Sequence, residues 1–216
     1  MSSTAGPQGL GVPRRNPDRR RALLEAADRA ILRDGPDTSM SVIAAEAGVT
    51  KPILYRHFGD KGGLYRALAE RHTDEVLAEI RDALGAPGDL RRRVTAAVDR
   101  YLALIEARPT LYRFLLQRAT VEDPGVASDL GLFVRRLGDE LGSAIVAERR
   151  LRGSAAVRGR TWGHAMVGMV QAAGDWWLEE RPCGRRVLVG NVVDLLFGAF
   201  PPGPGPAGRG ASPRAG

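Results

Sequence analysis

The chain of 216 residues carries one cysteine, Cys183, so no disulfide closes within it and a disulfide-stapled secreted scaffold is excluded. Three histidines (His57, His72 and His164) and that one thiol fall short of the usual ligand set of a structural zinc site, and no metal is expected. Long apolar runs are missing as well. The longest stretches without Asp, Glu, Lys or Arg are Thr161–Gly174 and Leu195–Gly208, both shorter than the roughly 18 residues that suggest a membrane helix. The N-terminal MSSTAGPQGLGVPRR has no apolar core of signal-peptide length. The default expectation is a soluble cytoplasmic protein without membrane contact. Catalytic signatures are also absent: there is no G-x-S-x-G and no H-E-x-x-H, and Cys183 has no recognisable His partner. Gly203-x-Gly205-x-x-Gly208 matches a dinucleotide fingerprint by letter alone, in a proline-rich tail without a strand before it or a helix after it. Neither an enzyme nor a cofactor is expected.

What is present is ordinary for a globular chain: 44% hydrophobic and 26% charged residues, enough to bury a core. The net charge of +7, almost all from arginine, permits an anionic partner such as nucleic acid. Apolar residues recur at spacings of three and four, with no alternating strand run, so the expectation is all-α. Residues 1–16 read as a flexible arm and 201–216 as a disordered tail. A first helix is predicted over about 18–33, capped by Asp18, with short helices over 40–47 and 51–57 and a longer one over 61–84. Gly85-Ala86-Pro87-Gly88 is the clearest internal linker. Further helices are expected over about 89–107, 109–120, 126–151, 154–180 and 184–199. The division is a small N-terminal unit over 17–66, a connecting helix to about 84, and a larger helical part over 89–200.

The informative stretch is Ser39 to Tyr65, SMSVIAAEAGVTKPILYRHFGDKGGLY. Two short helices separated by a turn containing Gly48 have the arithmetic of a helix-turn-helix. Val42, Ile43 and Ala47 face inward on the first, Val49 plugs the turn, and Leu54 and Phe58 anchor the second. That leaves Thr50, Lys51, Pro52, Ile53, Tyr55, Arg56 and His57 facing outward, a mixture of cations, hydroxyls and a ring that suits a duplex surface.

Here the sequence resembles the TetR family of bacterial transcriptional regulators. Ile43-Ala44-x-x-Ala47-Gly48-Val49, then Leu54-Tyr55-x-His57-Phe58, then Lys61-x-x-Leu64 reproduce that family's signature in order and spacing. The resemblance covers about residues 18–66. Gly62 and Gly63 depart from it, because the family usually has helix formers there, and a looser start to the fourth helix is expected. The resemblance implies a dimeric DNA-binding regulator, usually a repressor, released from a pseudo-palindromic operator by a small molecule. Carried over, Lys51, Pro52 and Ile53 approach base edges. Ser39, Thr50, Tyr55, His57 and Lys61 meet phosphates, and Arg56 reaches either.

For the C-terminal part the resemblance implies dimerisation and effector binding. The last two long helices would form the dimer bundle, with Gly163, Gly168 and Ala172 permitting close approach. Val189, Val192, Val193 and Leu196 would supply apolar area, although the same residues fit an internal core helix. Effector-pocket candidates are Tyr101, Ile105, Tyr112, Phe114, Leu115 and Phe133, and beyond them Trp162, Met166, Met169, Trp176 and Trp177. Each also fits ordinary core packing. Few of them are charged, so a hydrophobic effector is expected. The alternatives are a TetR-like activator, or a small helical ligand carrier or enzyme with a structural N-terminal unit.

Overall fold

The computed structural model describes residues 17–198; the arm and the tail expected at the two ends lie outside the described residues. Among the described residues every regular element is helical. A compact trio, α1 (Pro17–Asp34), α2 (Met40–Glu46) and α3 (Lys51–Phe58), leads into the long α4 (Lys61–Gly85). Then come α5 (Leu90–Ala107), α6 (Pro109–Arg113), a π-helical segment (Phe114–Ala119) and the single turn α7 (Thr120–Glu122). Three more helices complete the chain: α8 (Pro124–Glu148), α9 (Ser154–Glu180) and α10 (Arg185–Gly198).

The helical spacing of Leu23, Ala27 and Ile31 on α1 puts them on one stripe, which meets Ile43 of α2, Leu54 of α3, and Leu64 and Leu68 of α4 in one buried core. Caps set where helices begin. The Ser39 hydroxyl accepts from the Val42 N–H at 3.3 Å, and Asp60 accepts from Gly63 N–H at 2.6 Å. Gly48, at φ +63°, makes the turn between α2 and α3 in a conformation that costs glycine little. α1 starts one residue before Asp18, which therefore sits in its first turn and not at the cap. α8 starts at Pro124, because Asp123 accepts from Gly125 N–H at 2.7 Å and proline is tolerated in a first helical turn. The segment expected as one helix over 109–120 widens into the π-helical turn in its middle.

Gly62 and Gly63 do not loosen α4. A Cβ at position 63 would lie 1.9 Å from the Phe58 carbonyl oxygen, and one at 62 would lie 2.1 Å from Asp123 Oδ2. Both glycines exist to let chain segments approach closely, one within the reading unit and one between it and the rest of the molecule.

The C-terminal helices close a second core. α10 packs on α5 through Leu188, Val189, Val192, Val193 and Leu196, all buried. Val189, Val192, Val193 and Leu196 were expected at a dimer interface. They are instead consumed inside their own chain, which leaves a partner no surface there. Gly163 is likewise internal: a Cβ on it would lie 2.3 Å from the Gly142 nitrogen, so it brings α9 against α8. Gly168 and Ala172 do lie on the exposed side of α9. The helical spacing puts Ala165, Gly168, Met169, Ala172 and Trp176 on that one exposed stripe. α10 leaves Val187 and Leu195 exposed.

Candidate nucleic-acid interface and internal cavity

α3 is short, but its inner side is firmly held: Leu54 and Phe58 are buried, and Arg20 of α1 lies 5.2 Å from the centre of the Phe58 ring. The opposite side is open. Thr50, Lys51, Pro52, Tyr55 and Arg56 are exposed, Tyr55 to 40%, while Ile53 and His57 are half-buried on the flanks. Positions 51, 52, 55 and 56 fall on one face across two turns. Thr50 caps α3 with its backbone only; its hydroxyl makes no cap bond. Ser39 is exposed at the start of α2.

Lys61, expected among the phosphate contacts, is differently placed. It is half-buried, with Nζ 2.6 Å from Glu122 Oε2, and that hydrogen bond holds its ammonium above the usual lysine range. Glu122 also accepts from Arg118 Nε at 2.7 Å, and Arg66 of α4 pairs with Asp123. The start of α4 is thus clasped by the turn between α7 and α8. Nothing local to Glu122-Asp123-Pro124-Gly125 signals the distant partners of its two carboxylates.

Between α4, α5, α8 and α9 lies a cavity of about 610 Å³ with predominantly apolar walls. Of the candidate pocket residues, Tyr101, Ile105, Tyr112, Leu115, Phe133 and Met166 line it. Five other candidates do not. Phe114 is fully buried in the N-terminal core, edge-on to Tyr65 with ring centres 4.7 Å apart. Trp177 is buried in the C-terminal core, where its indole donates to the Cys183 carbonyl at 2.7 Å. Trp162 packs against that same core, and Met169 and Trp176 (51% exposed) sit on the outer stripe of α9. Residue type and helical phase alone could not separate these positions.

Two polar systems touch the cavity. Tyr101 Oη is 3.0 Å from Tyr112 Oη, and Tyr112 Oη donates to Asp175 Oδ1 at 2.5 Å. Burial pushes the Tyr101 phenol up to about 12, and burial and the neighbouring oxygens of Tyr101 and Asp175 push Tyr112 up as well. At another part of the wall Arg108 bonds Glu75 and holds its carboxyl below the ordinary range. Glu75 lies 3.6 Å from His72 Nδ1, and His72 Nε2 is 2.8 Å from Asp28 Oδ1 on α1. A file of polar groups therefore runs from the cavity to the reading unit. Nothing in the local sequence around His72 or the Asp74-Glu75 pair signals the partners Asp28 and Arg108, which lie outside α4.

Known proteins agree with this architecture. Residues 23–68 match the family described as bacterial regulatory proteins of the tetR type, and residues 79–206 match the tetracyclin repressor-like C-terminal domain. The chain belongs to the TetR family. It is a DNA-binding transcriptional regulator. The transcriptional activator FasR of Mycolicibacterium smegmatis is 31% identical over 195 residues, which are 89% of this chain and 87% of that one. An uncharacterised HTH-type regulator of Mycobacterium tuberculosis, Rv0472c, is 31% identical across 85% of this chain and 77% of its own length. Among solved structures, FadR of Bacillus subtilis in complex with stearoyl-CoA superposes with a TM-score of 0.68. It is 14% identical, covering 83% of this TetR-family chain and 98% of FadR, a likeness of fold. Among the described residues no helix is long and apolar enough to cross a membrane, and no cluster of three or more metal-ligating side chains occurs.

Proposed function

We propose that the protein is a homodimeric operator-binding repressor, released by a largely apolar effector bound in the 610 Å³ cavity. The open face of α3, rigidly backed by Leu54 and Phe58, carries this reading. Lys51 donates to guanine O6 or N7, Pro52 approaches the neighbouring base edge and Ile53 packs on a thymine methyl. Ser39, Thr50, Tyr55 and His57 meet phosphates, and Arg56 reaches either. Two such heads enter successive major grooves of a pseudo-palindromic site.

The dimer face is the exposed apolar stripe of α9, with Met169 and Trp176 at its centre, together with Val187 and Leu195 of α10. Exposed apolar side chains gathered on one face mark an association surface. Trp176→Glu combined with Leu195→Glu is expected to yield a folded monomer by sedimentation, with operator binding lost at concentrations where the native dimer is saturated. A variant that stays dimeric places the interface elsewhere.

Apolar walls favour a long acyl or similarly apolar body, and the FadR neighbour bound to stearoyl-CoA supports an acyl effector. The route to DNA passes through the π-helical segment and α7. Leu115, Leu116 and Thr120 line the cavity, and Glu122, just beyond them, grips Lys61. In this conformation Glu122 competes with phosphate for the Lys61 ammonium. Effector and operator then favour different arrangements, and each weakens the other by one coupling energy. Glu122→Gln is expected to tighten operator binding several-fold and to blunt release; unchanged affinity in a mobility-shift titration removes Glu122 from the route.

FasR of M. smegmatis is described as an activator, which favours a second reading for the sign of regulation: activation by the same DNA contacts at a different operator position. The test of both is a mobility shift with duplexes flanking the protein's own gene, titrated with long-chain acyl-CoA. Binding that acyl-CoA weakens supports release. Binding that acyl-CoA leaves unaltered removes it as effector, and failure to bind any flanking duplex removes autoregulation.

A further inference from the structure

The hydrogen-bonded file Tyr101–Tyr112–Asp175 spans three helices, α5, α6 and α9, and two of its members line the cavity. Its proton directions follow from counting. A phenol has one proton, and the Asp175 carboxylate accepts but does not donate. Tyr112 gives its proton to Asp175 Oδ1. It has none left for Tyr101, so the 3.0 Å contact between the two phenols is Tyr101 donating to Tyr112. Tyr101 has then spent its own proton, and what remains on its oxygen is lone pairs. Burial keeps the phenol protonated throughout the physiological range.

Resting on the effector reading of the cavity, we infer that Tyr101 is a specificity-determining residue that accepts a hydrogen bond from the effector, which therefore carries a hydroxyl or amide N–H along its apolar body. A ligand offering only ether, ester or ketone oxygens at that point brings lone pairs against lone pairs. It also forfeits the hydrogen bonds those oxygens made to water. A site built around a buried hydrogen-bonding group discriminates by that group far more sharply than by one methylene more or less.

The test uses two probes with the same chain, decan-1-ol and 1-methoxydecane, which differ in the hydroxyl proton. Binding to the full-length protein is measured by calorimetry. The native protein is expected to prefer the alcohol about tenfold, the size of one net hydrogen bond. Tyr101→Phe is expected to bring that ratio close to one. Tyr112→Phe removes the acceptor of the Tyr101 proton and frees it to point into the cavity, so the ether should gain and the preference should shrink or reverse. Cooperative melting of both variants checks their folding, and if Tyr101→Phe does not fold, Tyr112→Phe alone decides. Equal binding of the two probes to the native protein overturns the inference and leaves the cavity an effector site. A preference that survives both substitutions also overturns it. Binding of neither probe overturns the apolar-effector reading and this inference together.

Discussion

Lys51→Ala is expected to weaken operator binding by about 1–3 kcal/mol for each subunit, the usual worth of a good base contact. The proposed dimer carries the residue twice, so the expected loss is about 2–6 kcal/mol, or roughly thirtyfold to well beyond a thousandfold. The reason lies in placement. Lys51 is exposed in the first turn of α3, on the same face as Tyr55, and among the described residues no ion pair occupies its ammonium. Lys61, the chain's other lysine, is already engaged by Glu122. Fluorescence anisotropy with a labelled operator separates two modes of action for Lys51. A base contact alters which duplex is preferred and leaves the salt slope nearly unchanged, whereas a phosphate contact weakens all duplexes alike and lowers the slope by about 1. An affinity within twofold of native would remove Lys51 from the interface.

Gly163→Val is expected to cost about 3 kcal/mol or more and to lower the melting temperature by roughly 6–12 °C. The three atoms nearest a Cβ at this position are all backbone of α8: the Gly142 nitrogen at 2.3 Å, the Gly138 oxygen at 2.5 Å and the Gly142 Cα at 2.6 Å. Backbone cannot swing aside as a side-chain tip can, so α8 and α9 must separate. Both helices also wall the cavity, through Phe133 and Leu137 of α8 and Met166 and Val170 of α9. Effector binding should therefore weaken along with stability. Gly85, at the end of α4, is the control. A Cβ there meets nothing within 4 Å, so Gly85→Ala should be neutral or stabilising by up to about 1 kcal/mol. Equal melting temperatures for Gly163→Val and the native protein would mean that the two helices are not packed as described.

The reading unit was legible because its determinants are local. Ile43, Ala47, Val49, Leu54 and Phe58 lie within sixteen residues, and their spacing alone decides which side of α3 is buried. Gly48 and the Ser39 cap announce their turns through backbone chemistry that depends on no distant partner. The C-terminal part was legible as helices, but the partners of those helices were not. Val189, Val192, Val193 and Leu196 form an apolar stripe that suits a second subunit or the chain's own α5 equally well, and only the folded arrangement assigns it to α5. Trp176 and Trp177 are neighbours in sequence, yet one faces outward and the other fills a core. The polar links are the least visible: Lys61 to Glu122, and Tyr112 to Asp175, join residues about sixty positions apart. The π-helical segment carries no periodic signature, although such segments occur often at functional sites.

The claim that α3 reads a duplex is tested most directly by selection from randomised double-stranded DNA. The native protein and the double variant Lys51→Ala, Tyr55→Ala would be compared at low salt, with folding and dimer state checked by sedimentation. The expected result is enrichment of one pseudo-palindrome, with half-sites a helical turn or a multiple of it apart. The folded double variant should enrich that sequence weakly or not at all. Enrichment of the same sequence with equal strength by both proteins, or no enrichment by the native protein, would contradict it.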